Sequence, residues 1–498
     1  MHTALGEDVF AGNSLDRTAD NCYNGSNVGE GRPGRPDGGE RPPRGDAKKE
    51  ISKMGKVNVS FAETLGRIKD MNSVNNGPDG EFDYGSYDAY KAARIPFARL
   101  HDSALNWRHT VDIIHVFPDF DADENDPASY DFTLTDEYLD TIERTGTKLF
   151  YRLGNAIEAE SKKYGAVPPK DFHKWARICE HIVRHENEGW ANGFHRGIEY
   201  WEIWNEPDLK GHQCWTGTIG EYIELFDIAI RHLKGCFPDL KIGGPALTHI
   251  KCAEWWDEFI PYLKEKKPPM DFFSFHKYGS EPEKYAEDIE IAKKYMVEAG
   301  YPDCELILDE WNYLWGWQPK ERVHHSYQAL HTLKGAAFVS AVMTVCQNTA
   351  LDHLMYYDAR HSSYFNGLFE RYTWKNLKPY YAFYAFADLA DLGTEVKTVA
   401  AGEGLYALAA KSADGKHGAL MLTNYRNDVS LDGKEFPPEE VKIEWNGLSD
   451  KPVRVTVRML DNEHDLSEIS GETFGSGAGF HTLSLPLFAT AVVNYDEL

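Results

Sequence analysis

Short apolar runs recur along the chain from Lys56 onward, each followed by a polar loop and then by an amphipathic stretch of helical period. Runs at residues 57–61, 96–100, 149–153, 200–204, 241–244, 272–275, 306–308 and 353–357 read as buried strands. Between them, residues 135–144, 170–185, 220–233, 282–299 and 326–345 carry the spacing of helices. Alternation of this kind implies parallel pairing through right-handed crossovers, and eight repeats favour a closed (β/α)8 TIM barrel over an open doubly wound sheet. Beyond Leu392 the period falls to two: residues 404–410, 418–424, 453–459, 480–486 and 489–495 alternate between Gly, Asp and Asn turns. That predicts an appended C-terminal antiparallel β-sandwich, whose expected role is packing and stability. The expected division is a disordered N-terminal extension at 1–52, the barrel at 53–392 and the sandwich at 393–498.

A length of 498 residues suits a barrel with one smaller domain, and 42% hydrophobic with 27% charged residues is ordinary for a soluble globular chain. The net charge of -26 repels phosphate backbones, and no basic patch offsets it, so no nucleic-acid partner is expected. Seven scattered cysteines without Cys-x-x-Cys suggest reduced, buried thiols and neither a zinc site nor a disulfide framework. No secretory leader is visible and no apolar run reaches the length of a membrane span; residues 336–345, interrupted by Ser340, read as a buried helix. The expected location is the cytoplasm, with no membrane partner; the oligomeric state is left open. Residues 1–52 lack hydrophobic periodicity. Their Gly29, Gly31 and Gly34 match Gly-x-Gly-x-x-Gly only formally, since no strand precedes and Pro33 and Pro36 stand where a helix should open.

Candidate chemistry lies where two apolar runs break into polar residues. Tyr200-Trp-Glu-Ile-Trp-Asn-Glu-Pro-Asp208 starts as a strand and ends on Glu206 and a proline, which a central strand does not accommodate. Leu306, Ile307 and Leu308 likewise give way to Asp309-Glu310-Trp311-Asn312. Two carboxylates at the tips of the fourth and seventh barrel strands sit on the rim where barrel active sites form, and glycoside hydrolysis needs such a pair. A separation of about 5–5.5 Å makes the reaction retaining, whereas an inverting enzyme leaves room for water between them. Arg99 closes the second strand in Phe-Ala-Arg-Leu-His-Asp, and an inward arginine there demands a carboxylate, for which Glu310 is the candidate. His101, two residues on, shares its face. The aromatic share, 13% with 13 Trp, fits stacking on sugar rings, although most of these tryptophans are expected to be structural.

Trp-Asn-Glu-Pro-Asp at 204–208, Asp-Glu-Trp-Asn at 309–312 and Arg-Leu-His-Asp at 99–102 resemble the retaining (β/α)8 glycosidases of clan A. The likeness is greatest to glycoside hydrolase family 39, which contains β-xylosidases and α-iduronidases, and it covers residues 56 to 498. The resemblance implies Glu206 as acid/base, Glu310 as nucleophile, and Asn205 as the partner of the sugar 2-hydroxyl. It also implies His276 and Tyr278 on the sixth strand beside the reacting centre. His101 is assigned to sugar hydroxyls, and one of Trp311, Trp315 and Trp317 to a stacking wall. Where clan members place a tryptophan under the sugar, this chain reads Met355-Tyr-Tyr-Asp-Ala-Arg360, so a tyrosine or a tryptophan of another loop takes that place, and Arg360 is a candidate for a uronate carboxylate.

The function these features imply is a β-xylosidase-like, exo-acting glycoside hydrolase working by double displacement on an oligosaccharide or glycoside, without metal or cofactor. Its rivals are a related enzyme on an arabinoside, glucoside, galactoside or uronide, an endo-acting one, and a non-catalytic carbohydrate-binding barrel.

Overall fold

The computed structural model describes residues 54–78, 85–102 and 109–498; the expectations for residues 1–52, with Cys22 and the formal glycine motif, lie outside them. After a first strand, β1 (Gly55–Arg67), eight strands close into a parallel barrel in chain order. They are β2 (Asp70–Asn75), β3 (Phe97–Leu100), β4 (Lys148–Leu153), β5 (Tyr200–Ile203), β6 (Lys241–Leu247), β7 (Phe272–Gly279), β8 (Glu305–Tyr313) and β9 (His353–Tyr356). Helices fill the crossovers, and their ends follow local chemistry. Asp171 caps Phe172–Glu188 by accepting the Lys174 N–H, and that helix stops at Gly189 with φ 78°. Thr218 and Glu221 form a reciprocal capping box at the start of Ile219–Cys236.

The barrel interior is layered. Phe97, Phe150, Tyr200, Phe272, Ile307 and Met355 form one buried apolar floor. Two positions further along the same strands, where the strand period returns a side chain to the same face, stand Arg99, Arg152, Glu202, Ser274 and Asp309, all fully buried. The floor excludes water from below, and the polar layer carries the rim.

One expectation fails at the entrance to the barrel. Residues 57–61 do not open it: β1 pairs antiparallel with β10 (Thr394–Ala401) and parallel with β13 (Glu439–Asn446) in the other sheet. Its burial alternates, with Val57, Val59 and Phe61 inward and their neighbours outward, which is the pattern of a strand covered on one face only. The first barrel strand is instead β2, whose sequence Asp-Met-Asn-Ser-Val-Asn is too polar to announce a buried strand. The other seven barrel strands stand where the periodicity put them.

The second sheet is completed by β11 (Leu405–Lys411), β12 (His417–Asn424), β14 (Val453–Leu460), β15 (Asp465–Phe474), β16 (Gly479–Leu485) and β17 (Thr490–Glu497), in the order β15-β14-β17-β12-β11-β10-β1-β13-β16. It curls into a sandwich, so that Phe61 on β1 meets Tyr495 on β17 at 5.2 Å and Trp445 on β13 meets the same ring at 5.0 Å. The sandwich is antiparallel apart from the β1–β13 pair. Barrel and sandwich form one compact unit, Lys53–Leu498, joined where Gln347 donates to Glu395 at 2.7 Å and to the Arg67 carbonyl at 2.9 Å. The predicted apolar helix appears as Leu333–Gln347, almost wholly buried between the two. Among the described residues no single helix is long and apolar enough to cross a membrane, and five of the six cysteines are buried.

Because β1 lies inside the sandwich, Phe61→Ala opens a cavity in that core. A loss of ~3–5 kcal/mol in denaturant unfolding is expected, and a loss within the ±0.5 kcal/mol typical of surface positions contradicts this placement.

Candidate active site

Both strand tips are shaped by backbone that leaves the strand abruptly. Beyond β5, Trp204 and Glu206 take φ of 78° and 45°, in the left-handed region that non-glycine residues seldom occupy. The Glu206 N–H donates to the Ala246 carbonyl at 2.9 Å, and Asp208 accepts from the Thr248 N–H at 3.0 Å and its hydroxyl at 2.7 Å, which ties the proline loop to the end of β6. At β8 the register against β7 slips. Phe275 pairs with Leu308 but His276 pairs with Glu310, so Asp309 is an extra residue. The bulge brings two successive carboxylates, Asp309 and Glu310, onto the same guanidinium of Arg99 at 3.1 and 3.0 Å.

Arg99 spends its whole fork inside the barrel. Nε donates to Glu202 at 2.7 Å, Nη1 to Asn75 at 3.1 Å and to Glu310 at 3.0 Å, and Nη2 to Asn205 at 2.6 Å. Glu310 also accepts from the Tyr278 hydroxyl at 2.9 Å, with His101 Nε2 at 3.6 Å and His276 Nδ1 at 3.4 Å. His276 Nδ1 reaches Glu206 at 2.8 Å, and one carboxylate oxygen each of Glu206 and Glu310 lie with that nitrogen within 4.8 Å of one another. The thiol of Cys214 stands 4.0 Å from the other Glu206 oxygen and 4.0 Å from the Asn205 amide nitrogen.

Charge follows from this packing. Burial opposes the His276 cation, but Glu310 and Asp309 outweigh it and hold the ring well above the usual histidine range. His101 goes the other way: burial, then Arg99 and Arg152, push it well below that range, leaving a neutral imidazole whose Nδ1 is buried without a hydrogen-bond partner. Burial pushes Glu310 up to about 7, with the Glu206 charge adding to the push and His276 and Arg99 pulling against it. The pairing with Arg99 that the sequence suggested is present, yet it does not hold this carboxyl in the ordinary range.

The structure places Glu206, Glu310, Asn205, Arg99, His101, His276 and Tyr278 together, but not two of the three tryptophans. With Glu310 inward, Trp311 turns outward and is buried among Tyr356, Tyr285 and Phe338 at 5.3, 5.9 and 6.0 Å, a core position rather than a sugar platform. Trp315 packs under Arg322 and beside His325 at 4.9 and 5.3 Å, pinning its loop to Lys320–Ala329. Trp317 alone reaches the centre, 5.8 Å from Tyr278, with Phe365 5.2 Å from Tyr278 and 5.9 Å from Tyr357. Sequence reasoning missed Glu202, Asn75 and Ser274; Glu202 shares its strand face with Tyr200, whereas Asn75 lies on β2, which the periodicity did not reveal. Asp102 and Tyr357 both lie in motifs the sequence singled out, but their hydrogen bond, at 2.7 Å, was not foreseen.

Comparison with known proteins places this geometry. Residues 105–465 match Glycosyl hydrolases family 39. The chain belongs to that family. Relatives include a "Beta-xylosidase" of Geobacillus stearothermophilus, 25% identical over 265 residues (47% of this chain, 49% of that protein). Another "Beta-xylosidase", of Caldicellulosiruptor saccharolyticus, is 30% identical over 206 residues (37% of this chain, 41% of that one). The alignments thus span about half the length of these relatives or less. Among solved structures, a glucosidase from Croceicoccus marinus superposes with a TM-score of 0.75 at 22% identity, covering 90% of this chain and 100% of that one, which attests the shared fold.

The two aromatic sites separate experimentally. Trp311→Ala is expected to lower stability by ~3–5 kcal/mol with KM unchanged among molecules that remain folded. Trp317→Ala is expected to raise KM with little change in melting temperature, both read from steady-state kinetics and thermal unfolding.

Proposed function

We propose that the chain is a retaining glycosidase that removes terminal β-xylosyl units, or closely similar neutral sugars, by double displacement. The observation that carries this is the approach of the two carboxylates to within 4.8 Å through His276. An oxygen-to-oxygen approach of that order accords with the ~5–5.5 Å carboxyl separation of retaining enzymes rather than the ~6.5–9.5 Å that inverting enzymes keep for a water. Glu310, fixed by Arg99 and Tyr278, attacks the anomeric carbon. The proton needed by the leaving oxygen resides on the hydrogen-bonded Glu206–His276 pair and is delivered by Glu206. In the second half, Glu206 takes a proton from water, whose oxygen displaces Glu310. Asn205, locked through its carbonyl by Arg99, presents its amide N–H groups to the sugar 2-hydroxyl.

A neutral sugar is favoured over a uronide because Arg360 is already spent. Its guanidinium donates to Asp358 at 2.7 and 3.2 Å, to the Asp102 carbonyl at 2.6 Å and to Tyr357 at 3.1 Å. Two aspartates face that one cation, Asp358 at 2.7 Å and Asp102 at 3.7 Å, so the local charge repels a further carboxylate. The relatives named β-xylosidases support xylose, and exo action is the reading that accords with them.

A panel of aryl glycosides tests this. Turnover is expected on the β-xyloside and not on the α-iduronide; the reverse preference sinks the assignment. Glu310→Ala should lose turnover and recover it with added azide, giving a glycosyl azide of inverted configuration, whereas undiminished hydrolysis by that variant removes Glu310 from its role.

A pH profile gives a second test. Glu310 must be ionised to attack and burial favours its protonated form, so kcat/KM should rise with pH toward about 7. The Glu206 charge raises Glu310, so in Glu206→Gln, assayed with a leaving group needing no acid, this limb should move to lower pH. A limb that stays put or moves up contradicts the coupling.

A further inference from the structure

Away from the active site, the helices Phe172–Glu188 and Ile219–Cys236 bring three different ligand groups together. His232 and Cys236 stand four residues apart on the second helix, and therefore on one face of it, while Glu180 reaches them from the first. His232 Nε2 lies 2.7 Å from one Glu180 oxygen, and a carboxylate oxygen, an imidazole nitrogen and the Cys236 sulfur all lie within 4.8 Å of one another. Among the described residues Glu206, His276 and Glu310, and Asp136, His185 and Glu186, converge as closely. Neither of those groups contains a thiol, and each has two of its three members buried, whereas all three groups between the helices are partly open to solvent.

Thiolate, imidazole and carboxylate together are a donor set for zinc, since calcium and magnesium take oxygen ligands. Zinc bonds of about 2.0–2.1 Å set two nitrogen or oxygen ligands ~3.3 Å apart at tetrahedral angles, so the 2.7 Å contact between His232 and Glu180 opens by only ~0.6 Å to admit the ion. The second Glu180 oxygen accepts from Arg184 Nε at 2.8 Å, and Arg184 also pairs with Glu188 one turn on. Arg184 thus orients the ligand carboxylate while its own charge is met by Glu188. A divalent ion then faces two protein anions, Glu180 and the Cys236 thiolate, and the site as a whole is balanced.

We infer that Glu180, His232 and Cys236 form a zinc site, with water in the fourth position. On binding, the Cys236 sulfur gives up its proton to solvent and forms the metal bond in its place. The first helix leads into β5 and the second leaves it, so the ion clips together the two crossovers that flank the strand ending at Glu206.

Cobalt(II) takes the place of zinc and reports its ligands by colour, so the full chain, cleared of metal with a chelator, is titrated with Co2+. Wild type should develop a thiolate-to-cobalt charge-transfer band that saturates at one equivalent and is displaced by Zn2+. Cys236→Ser should abolish the band, and His232→Ala should weaken Co2+ binding by more than the ~10–100-fold that loss of an outer partner costs. Cys214→Ser, at the thiol beside Glu206, should leave the band in place. No charge-transfer band in wild type, a band that survives Cys236→Ser, or one lost in Cys214→Ser overturns the proposal. If Cys236→Ser does not fold, alkylation of Cys236 in wild type decides, read by mass spectrometry of the labelled peptide: protection by Zn2+ supports the site and an unchanged rate rejects it. None of these readouts depends on turnover of a glycoside.

Discussion

The buried guanidinium of Arg99 is the constraint on which the rest of the site depends. A cation sealed inside a barrel is tolerable only when its donors are met, and removing one partner of a buried ion pair costs about 3–5 kcal/mol. Here five partners come from three strands and the end of one of them: Asn75 on β2, Glu202 on β5, Asn205 beyond β5, and Asp309 and Glu310 on β8, around an arginine on β3. One planar fork therefore fixes the relative height of those strands and, with it, the Glu310 carboxyl and the Asn205 amide. The same contacts that pay for the arginine's burial place the reacting groups.

Strand parity explains why such a hub can exist. The apolar floor from Phe97 to Met355 fills one interior layer, and the next inward positions are released for polar use because no core remains for them to fill. The bulge at Asp309 breaks that regularity in the one strand where two carboxylates are needed at nearly the same depth. Without it, an inward Asp309 turns Glu310 out of the barrel.

Much of this was legible in the chain. Seven barrel strands, the change of period after Leu392 and the two glutamates at strand tips all followed from apolar runs that end in polar residues. What was not legible has physical reasons. β2 hid because Asp70, Asn72, Ser73 and Asn75 break up its apolar residues, Ser73 and Asn75 serving hydrogen bonds, and β1 imitated a barrel strand because five residues are too short to tell one buried face from two. Trp311 was misread through neglect of parity: a residue adjacent to an inward carboxylate faces the helices. The Asp309 bulge has no sequence signal, since register is a property of the pair of strands, and the saturation of Arg360 depends on Asp102, a residue far away in the chain.

The arrangement also bears on how, in the double displacement proposed above, one site would serve two opposite proton transfers. In the free site Glu206 and Glu310 lie close enough to repel when both are charged, and His276 stands between them within reach of each. Formation of the glycosyl ester neutralises Glu310, which leaves His276 and Arg99 with one negative partner fewer. By then the proton of the Glu206–His276 pair has gone to the leaving oxygen, so the remaining positive field of Arg99 acts on the pair and favours the Glu206 carboxylate that draws a proton from water. Hydrolysis of the ester restores the charge on Glu310 and with it the demand for a proton on the Glu206–His276 pair. The alternation needs no movement of the backbone, because Arg99 stays fixed and charged while the proton of the Glu206–His276 pair leaves and returns.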